Sequence, residues 1–250
     1  MTEPESVKPY NATEAKGKQV GDMFDSIAPS YDFMNTLMTG GLHKHWRNKA
    51  LKMAAAMLPK GAPAKILDVA CGTGDVTFRL HKMFPKAQIT GLDLSPGMLW
   101  VANGKLGWYD HDTQELITFM EGDCLHLPFA DNTFDFVTVA YGVRNFERLE
   151  EGYREMWRVM KPGGLICVIE LSEPSNSPMR SLYRLYSRHV IPFVGKLVSH
   201  DVRAYSYLPE SIAACPQRED MTRLMSNAGF SSPLYRSLTL GVVTIYLAKK

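Results

Sequence analysis

The chain has 250 residues, of which 45% are apolar and 22% are charged, and its 28 Lys and Arg residues nearly balance 26 Asp and Glu residues. Such a chain can fold as one large domain with a substantial core. The balance of charge excludes an overall field strong enough to require a nucleic-acid partner. No apolar run reaches the roughly 18 residues of a membrane-spanning helix. We therefore expect a soluble protein, which can still contact a membrane surface.

The cysteines and the first residues indicate the cellular compartment. The four cysteines lie far apart, with no CxxC pair and no histidine spacing suited to zinc, which predicts buried thiols, a reducing compartment and no metal site. Residues 1–20 lack both the apolar core of a signal peptide and the Arg-rich, acid-free composition of a transit peptide. We expect a flexible tail over 1–20, a single domain over 21–250 and a cytoplasmic protein. The cysteines are Cys71, Cys124, Cys167 and Cys215.

The first predicted element is an amphipathic helical segment. Apolar side chains recur there at three- and four-residue steps, with an interruption at Pro29. The segment either packs on the sheet or forms a lid with Tyr31 over a bound ligand, and both interpretations stay open. A helix over 46–57 follows, so that the region 21–60 is expected to be helical throughout. The recurring positions are Phe24, Ile27, Tyr31, Met34 and Leu37.

Strand and helix signals alternate from about residue 45 onward. The strands are unbroken apolar runs, as in a parallel sheet that helices cover on both faces. We therefore predict a doubly wound α/β fold with a mostly parallel, seven-stranded sheet. The alternation stops after Pro174, and 175–216 is expected to be a helical insertion before the last strands. The predicted strands are 66–70, 89–95, 116–123, 134–142, 164–171, 234–240 and 242–249.

Two glycines follow the first strand, where doubly wound folds bind ligands. Gly72 and Gly74 belong to the run CGTGDVT, which has Thr77 where a dinucleotide fingerprint has its third glycine. An ordinary strand-to-helix turn explains the glycines equally well. Asp93, which lies 19 residues beyond Gly74, can accept hydrogen bonds from two ribose hydroxyls. Asp123, after the third strand, can accept one from an adenine amine, so the set favours adenosine over NAD.

These residues resemble the glycine loop and the acidic strand ends of the class I S-adenosylmethionine methyltransferases. Ala70 replaces the first glycine of their GxGxG pattern, while both later glycines are present. The resemblance implies S-adenosylmethionine as the cofactor and a Rossmann-like fold. The cofactor-binding residues that it implies are Tyr31, Asp68, Gly72, Thr73, Gly74, Asp93, Leu94, Asp123, Cys124 and Ala140.

Four longer motifs narrow the resemblance. They are residues 23–47, the loop DVACGTGD, the run YGVRNF at 141–146, and residues 214–230. Together they resemble the ubiquinone and menaquinone C-methyltransferase family over about 20–250. The resemblance implies methylation of a ring carbon of a polyprenyl hydroquinone, with menaquinone synthesis as the first expectation. The sequence leaves open whether the ring is a naphthoquinol or a benzoquinol, and it does not give the oligomeric state.

The residues after the fourth strand bear on the chemistry. Enzymes that methylate base amines usually carry Asn or Asp, two prolines and an aromatic residue there, whereas this chain has AYGVRN. Arg144 and Asn145 are donors that suit an acceptor becoming anionic, such as an ionising hydroquinone. Asp75 is the nearest carboxylate to take up the proton, although its place at a helix start makes it a weak base. The structural alternatives are a helix-start acid for Asp75 and a salt bridge from Arg144 to Glu147.

The insertion mixes basic residues with Leu, Tyr, Val and Phe over 179–209. Such a mixture can bind nucleic acid or form a solvated helix face. A polyprenyl substrate favours a third interpretation, in which an apolar groove holds the tail and a basic rim contacts anionic lipid. We expect this contact to be peripheral, on the inner face of the cytoplasmic membrane.

Three other functions stay open. A small-molecule O- or N-methyltransferase would share every feature up to Asp123. A noncatalytic cofactor-binding subunit is less favoured, because Arg144 and Asn145 are present where chemistry would occur. An NAD oxidoreductase is disfavoured by Thr77 and Asp123.

Overall fold

A seven-stranded sheet forms the centre of the protein. The computed structural model describes residues 4–58, 61, 63–175, 177–187 and 202–250. The strands are β1 Lys65–Val69, β2 Gln88–Asp93, β3 Ile117–Glu121, β4 Phe134–Ala140, β5 Met160–Leu171, β6 Ser231–Leu238 and β7 Val243–Lys249.

The strand order is β3-β2-β1-β4-β5-β7-β6, with β1 to β5 parallel and β7 antiparallel to both neighbours. The order reverses between β1 and β4, because the chain adds β2 and β3 on one side of β1 and β4 and β5 on the other. Such a reversal opens a crevice at the carboxyl ends of the two central strands. The predicted doubly wound, mostly parallel fold is confirmed.

Helices cover both faces of the sheet. Ile66 points into one core cluster and Leu67 and Val69 into another, so that β1 is buried on both sides. This explains why the strands are continuous apolar runs and do not alternate with polar residues. The helices are α1 Lys16–Ile27, α2 Tyr31–Thr39, α3 Leu42–Ala55, α4 Asp75–Met83, α5 Pro96–Leu106, α6 His111–Leu116, α7 Leu149–Val159, α8 Ser177–Leu185, α9 Val202–Ala214 and α10 Glu219–Asn227.

The N-terminal segment differs from its predicted boundaries. The boundary at residue 20 falls inside α1, and Gln19 is fully buried and accepts backbone hydrogen bonds from Tyr10 and Asn11 at 2.8 and 2.9 Å. A 3-10 turn containing Pro29 separates α1 from α2. The helix predicted over 46–57 begins earlier, at Leu42, because two left-handed glycines end α2 and admit a new helix at once.

The insertion and the C-terminal strands follow the predicted order. α8 and α9 lie within the predicted range 175–216, of which residues 176 and 188–201 are outside the described residues. A 3-10 turn at Thr239–Gly241 joins β6 to β7 close to the predicted split. The short helix α6 was not predicted from the sequence. None of the helices within the described ranges is long and apolar enough to cross a membrane.

Phe136→Ala tests the buried centre of the sheet. Phe136 lies in β4 with 0% of its surface exposed and packs edge-on against Phe84. We expect its truncation to lower the free energy of unfolding by about 3–5 kcal/mol through the cavity it leaves, as measured by urea denaturation. Trp100→Ala is the control, since this side chain is 77% exposed and should cost less than about 0.5 kcal/mol. Equal losses from the two substitutions would contradict the assignment of the core.

Candidate functional site

Two adjoining cavities open at the carboxyl ends of β1 and β4. The first cavity lies against the ends of β2 and β3 and under α1. The second cavity, of about 320 Å³, lies between the glycine loop and helices α2, α3, α8 and α9. Ligands held in the two cavities would meet at the wall that these share. That wall is formed by Phe24, Tyr31, Ala70, Gly72, Ala140, Tyr141 and Asn145.

The glycine loop leaves room for a ligand at one of its two glycines. Gly72 has a left-handed backbone, and a Cβ placed on it would meet no protein atom within 4 Å. Ala70 is also left-handed, and a Cβ on Gly142 would lie 2.7 Å from its methyl group, so that Gly142 makes space for the alanine. Gly74 lines neither cavity, and a Cβ there would lie 2.7 Å from the Phe119 ring. Gly74 therefore has a packing role. The other predicted site residues each line at least one of the two cavities.

Two carboxylates face the first cavity from neighbouring strand ends. Asp93 accepts backbone hydrogen bonds from Gly72 at 2.7 Å and from Ser95 at 2.9 Å, and burial raises its pKa. Asp123 accepts one from the backbone of Leu125 at 2.9 Å. Each carboxylate can accept further hydrogen bonds. Leu94 and Cys124 line the same cavity, so the arrangement fits a diol and an exocyclic amine.

Asp68 lines the second cavity from beneath the loop. Its two oxygens accept hydrogen bonds from Thr77 at 2.7 Å and Thr138 at 2.8 Å, and it is 1% exposed. Burial raises the pKa of Asp68 to about 6. The carboxylate is thus still mostly charged at neutral pH and can attract a cationic group placed in the cavity.

Two cations hold Asp75 at the start of α4. Arg47 lies 3.0 Å and Lys105 2.9 Å from its carboxylate oxygens. Although burial opposes them, these cations lower the pKa of Asp75. The lowered pKa counts against Asp75 as a proton acceptor and agrees with the alternative of a helix-start acid. The neighbouring Thr73 donates to Asp32 at 2.7 Å, which ties α2 to the glycine loop.

Arg144 is paired with Glu170 and not with Glu147. Its Nη1 donates to Glu170 Oε1 at 2.9 Å, and the two residues are 7% and 2% exposed. Glu147 instead accepts from the backbone of Gly17. Glu170 was missed in the sequence analysis. The signal was available, because Glu170 is the one charged residue in the run GLICVIEL and lies at the carboxyl end of the strand beside β4.

The side chains that line the second cavity include four buried polar atoms that have no hydrogen-bond partner among the described residues. They are the Tyr141 hydroxyl, Arg144 Nε, Asn145 Oδ1 and the Tyr207 hydroxyl. Burial raises the pKa of both tyrosines, so they remain hydroxyl donors at neutral pH. A buried polar group without a partner costs about 1–3 kcal/mol. A ligand that carries both donors and acceptors would remove this cost.

The N-terminal helices cover the two cavities and are fastened at two points. Asp25 accepts hydrogen bonds from the Ser95 hydroxyl at 2.5 Å and the Gly97 backbone at 2.8 Å. Asp32 lies 2.6 Å from Lys105. Tyr31 lies between these points in the chain and lines both cavities, so the segment packs on α5 and covers the site.

Two histidines, His43 and His45, lie near the start of α3. His43 is buried in the wall of the second cavity with its Nδ1 2.7 Å from the Thr39 hydroxyl. Burial lowers its pKa to about 4, so His43 is neutral at pH 7. His45 is exposed.

Glu170→Ala tests the buried ion pair. The substitution leaves the Arg144 guanidinium buried without its counter-charge, and we expect it to lower the free energy of unfolding by about 3–5 kcal/mol in urea denaturation. Glu170→Gln retains an acceptor for Arg144 and should cost less. The control is Glu147→Gln, which removes a charge of the same sign three residues after Arg144 in the chain. A loss from Glu170→Ala no larger than that of the control would contradict the pairing.

Comparison with known proteins shows similarity along the whole chain. A demethylmenaquinone methyltransferase of Porphyromonas gingivalis is 45% identical over 251 residues, with 100% of each chain covered. One of Deinococcus radiodurans is 40% identical, with 98% of each covered. A ubiquinone/menaquinone biosynthesis C-methyltransferase of Pseudomonas fluorescens is 38% identical over 92% of this chain and 88% of its own.

Solved structures of low sequence identity share the fold. A SAM-dependent methyltransferase of Thermotoga maritima superposes with a TM-score of 0.62 at 18% identity, over 92% of this chain and 99% of its own. Phosphoethanolamine N-methyltransferase 2 of Haemonchus contortus, in complex with S-adenosyl-L-methionine, gives 0.59 at 15% identity, over 81% and 52%. The Rossmann-like methyltransferase fold is thereby confirmed.

A model of a protein family also matches nearly the whole chain. The model described as the ubiE/COQ5 methyltransferase family matches residues 12–250. The chain belongs to the ubiE/COQ5 methyltransferase family.

Proposed function

We propose that this protein transfers a methyl group from S-adenosylmethionine to a ring carbon of a polyprenyl hydroquinone, converting demethylmenaquinol to menaquinol. One observation carries the proposal: the first cavity, which Asp93 and Asp123 line, and the second cavity share the wall that holds Tyr141 and Asn145. The names of the full-length relatives support the naphthoquinol ring. A benzoquinol ring is the second candidate, since relatives at 38% identity are named for both quinones.

The residues around the first cavity fit the cofactor. Asp93 is positioned for the ribose hydroxyls, and Asp123, with Leu94 and Cys124, for the adenine. The open face of Gly72 admits the methionine portion toward the second cavity, where the Asp68 carboxylate would hold its ammonium group. Ala140, Thr73 and Tyr31 complete the surroundings. S-adenosylmethionine supplies a methyl group bound to a positively charged sulfur, which an electron-rich ring carbon can attack.

The unpartnered atoms of the second cavity suit a hydroquinone. Such a ring carries two hydroxyl groups, which together need both donors and acceptors. Arg144 Nε and the Tyr141 hydroxyl can donate to an ionising oxygen, and Asn145 Oδ1 can accept from the remaining hydroxyl. A phenol ionises near pH 10, so holding a phenolate at pH 7 costs about 4 kcal/mol without such donors. We infer that Arg144 and Tyr141 lower this cost and that Asn145 orients the ring.

The proton must leave an enclosed site. The covering helices exclude water from the reacting carbon, while the proton itself can pass through water at the edge of the second cavity. The role of Asp75 as the proton acceptor stays a prediction. Its ion pairs with Arg47 and Lys105 count against that role. We instead infer that Asp75 keeps Arg47 in the wall of the second cavity.

The polyprenyl tail requires an apolar channel. Between α2 and α9 the second cavity is lined by apolar side chains such as Met34, Met38, Leu208 and Ile212. The predicted contact of 179–209 with an anionic membrane remains a proposal that the exposed Leu182 and Leu185 of α8 support. We place that contact on the inner face of the cytoplasmic membrane.

Methyl transfer with labelled cofactor tests the proposed reaction. The purified protein, given S-adenosylmethionine with a ¹³C methyl group and a reduced short-tailed demethylmenaquinol, should place the label on a ring carbon, as resolved by NMR of the product. Label on oxygen or nitrogen would establish one of the rival methyltransferases. Absence of turnover with naphthoquinol and benzoquinol alike would favour the noncatalytic subunit.

Arg144→Lys tests the stabilisation of the phenolate. Lysine keeps a positive charge beside Glu170 but has no counterpart of Nε–H, so we expect kcat to fall about a hundredfold, as when one donor to a developing anion is lost. Cofactor affinity, measured by calorimetry, should stay unchanged. The rate of the variant should also rise more steeply with pH, because the substrate hydroxyl must then ionise with one hydrogen-bond donor fewer.

Arg148→Lys is the matched control for this substitution. Arg148 lies four residues later, is exposed and pairs with Glu151 outside both cavities. Its replacement should leave kcat unaltered. If Arg144→Lys retained full turnover, Arg144 would have no part in the chemistry.

A further inference from the structure

A basic groove lies between α3, α4 and the end of α5. Lys44 and Arg47 line it from one face of α3, and Arg79 and Lys82 from one face of α4, each pair at the three-residue spacing that brings side chains together on a helix. Lys105 closes it at the end of α5. Asp75 is the one carboxylate in its lining. The groove therefore carries a marked excess of positive charge, although the whole chain is nearly neutral.

Part of this charge is not neutralised. Arg47 and Lys105 are paired with Asp75. Lys44, Arg79 and Lys82 have no ion pair within the described part of the chain, and Arg79 Nε is buried there without a hydrogen-bond partner. These three cations are available to an anionic ligand.

The insertion offers less free charge than its sequence indicated. Arg180 donates to the carbonyl oxygens of Pro174 and Ser175. Arg184 is paired with Glu173, and Arg203 with Glu210. Arg188 and Lys196 lie outside the described residues. Of the described arginines of 179–209, two are thus neutralised by carboxylates and the third is held by carbonyl oxygens, whereas the basic groove carries three cations without an ion pair among the described residues.

The basic groove is continuous with the covering helices and the second cavity. Arg47 and Asp75 line both the groove and the cavity. On α2, Met34 and Met38 face the cavity, while Phe33 and Leu37 are 61% and 49% exposed one helical turn apart. We call Phe33, Leu37 and the equally exposed Leu42 the lid face. A helix that exposes large apolar side chains beside a basic surface is typical of contact with a lipid interface.

A tryptophan at the rim agrees with this arrangement. Trp108 lines the basic groove and is 91% exposed. Tryptophan is enriched where proteins meet the interfacial region of a bilayer, because its ring is apolar and its N–H is polar.

We propose that the basic groove binds the phosphates of anionic lipid headgroups and thereby sets the lid face on the bilayer in which the polyprenyl substrate is dissolved. An anionic membrane is the partner that the positive charge of the groove complements. This inference rests on the proposed function in one respect, namely that the substrate is a molecule dissolved in the bilayer. The mouth of the second cavity would then lie at the membrane surface, so that a ring can reach the site while its tail stays in lipid.

Vesicle flotation of the full chain tests the basic groove. The protein should float with phosphatidylcholine vesicles that contain phosphatidylglycerol, much less with phosphatidylcholine alone, and less at high salt. Lys44→Gln with Lys82→Gln should weaken partitioning onto the anionic vesicles about thirtyfold, at about fivefold per lysine. The control carries the same loss of charge outside the groove, through Lys52→Gln with Lys86→Gln, and should bind nearly as the parent does.

Several outcomes would overturn the inference. One is absence of binding to anionic vesicles, and another is an equal loss in both double variants, which would show an effect of net charge alone. A groove specific for free phosphate would give thermal stabilisation by inorganic phosphate, abolished by Lys44→Gln with Lys82→Gln, while vesicle binding stayed intact.

Activity separates the inference from the proposed function. With a soluble short-tailed demethylmenaquinol the groove variant should turn over at the parental rate, because neither lysine lines the two cavities. With a long-tailed substrate in anionic vesicles its rate should fall. If the parent has no activity on the soluble substrate, the proposed function fails while the vesicle result still decides the role of the groove.

Discussion

The buried ion pair between Arg144 and Glu170 is the interaction on which the site depends. It joins the turn after β4 to the end of β5, and the Arg144 carbonyl oxygen also accepts a hydrogen bond from the buried Lys16 of α1. Removing two charges from water is costly, and the cost is recovered only when both are well paired. Because Glu170 neutralises the guanidinium and occupies Nη1, Nε remains as a donor fixed in position.

The ion pair between Arg144 and Glu170 holds a turn that lies between the two cavities. The turn over 141–146 stands between the first cavity and the second, while α1 and α2 are fastened over both by Asp25 and Asp32. The first cavity presents carboxylates that already accept backbone hydrogen bonds, and the second presents polar atoms without a partner among the described residues. Under the proposed function the difference is physical, because the first cavity would hold a cofactor with many polar groups and the second a ring with two hydroxyls.

Much of the fold could be predicted from the sequence, and the misses have definite causes. The strands were found because burial on both faces leaves continuous apolar runs. The start of α3 was placed too late because Gly40 and Gly41 were not recognised as a left-handed turn between helices. Helix α6 was missed because it is short and polar. Of the predicted site residues, Gly74 alone lies away from the cavities, since its sequence position does not reveal the Phe119 ring.

The sequence by itself determined the doubly wound fold and the edge of the sheet at which the predicted cofactor-binding residues lie. In a parallel sheet all strands end at one edge, so the spacing of Gly72, Asp93 and Asp123 already brings them together. The tertiary structure alone decided that Arg144 pairs with Glu170 and that Arg79 and Lys82 of α4 meet Lys44 of α3. Such contacts depend on which turns and helix faces pack against each other. The sequence pattern shows which interactions each residue can make, but it does not show which residues distant in sequence lie close to it in the fold.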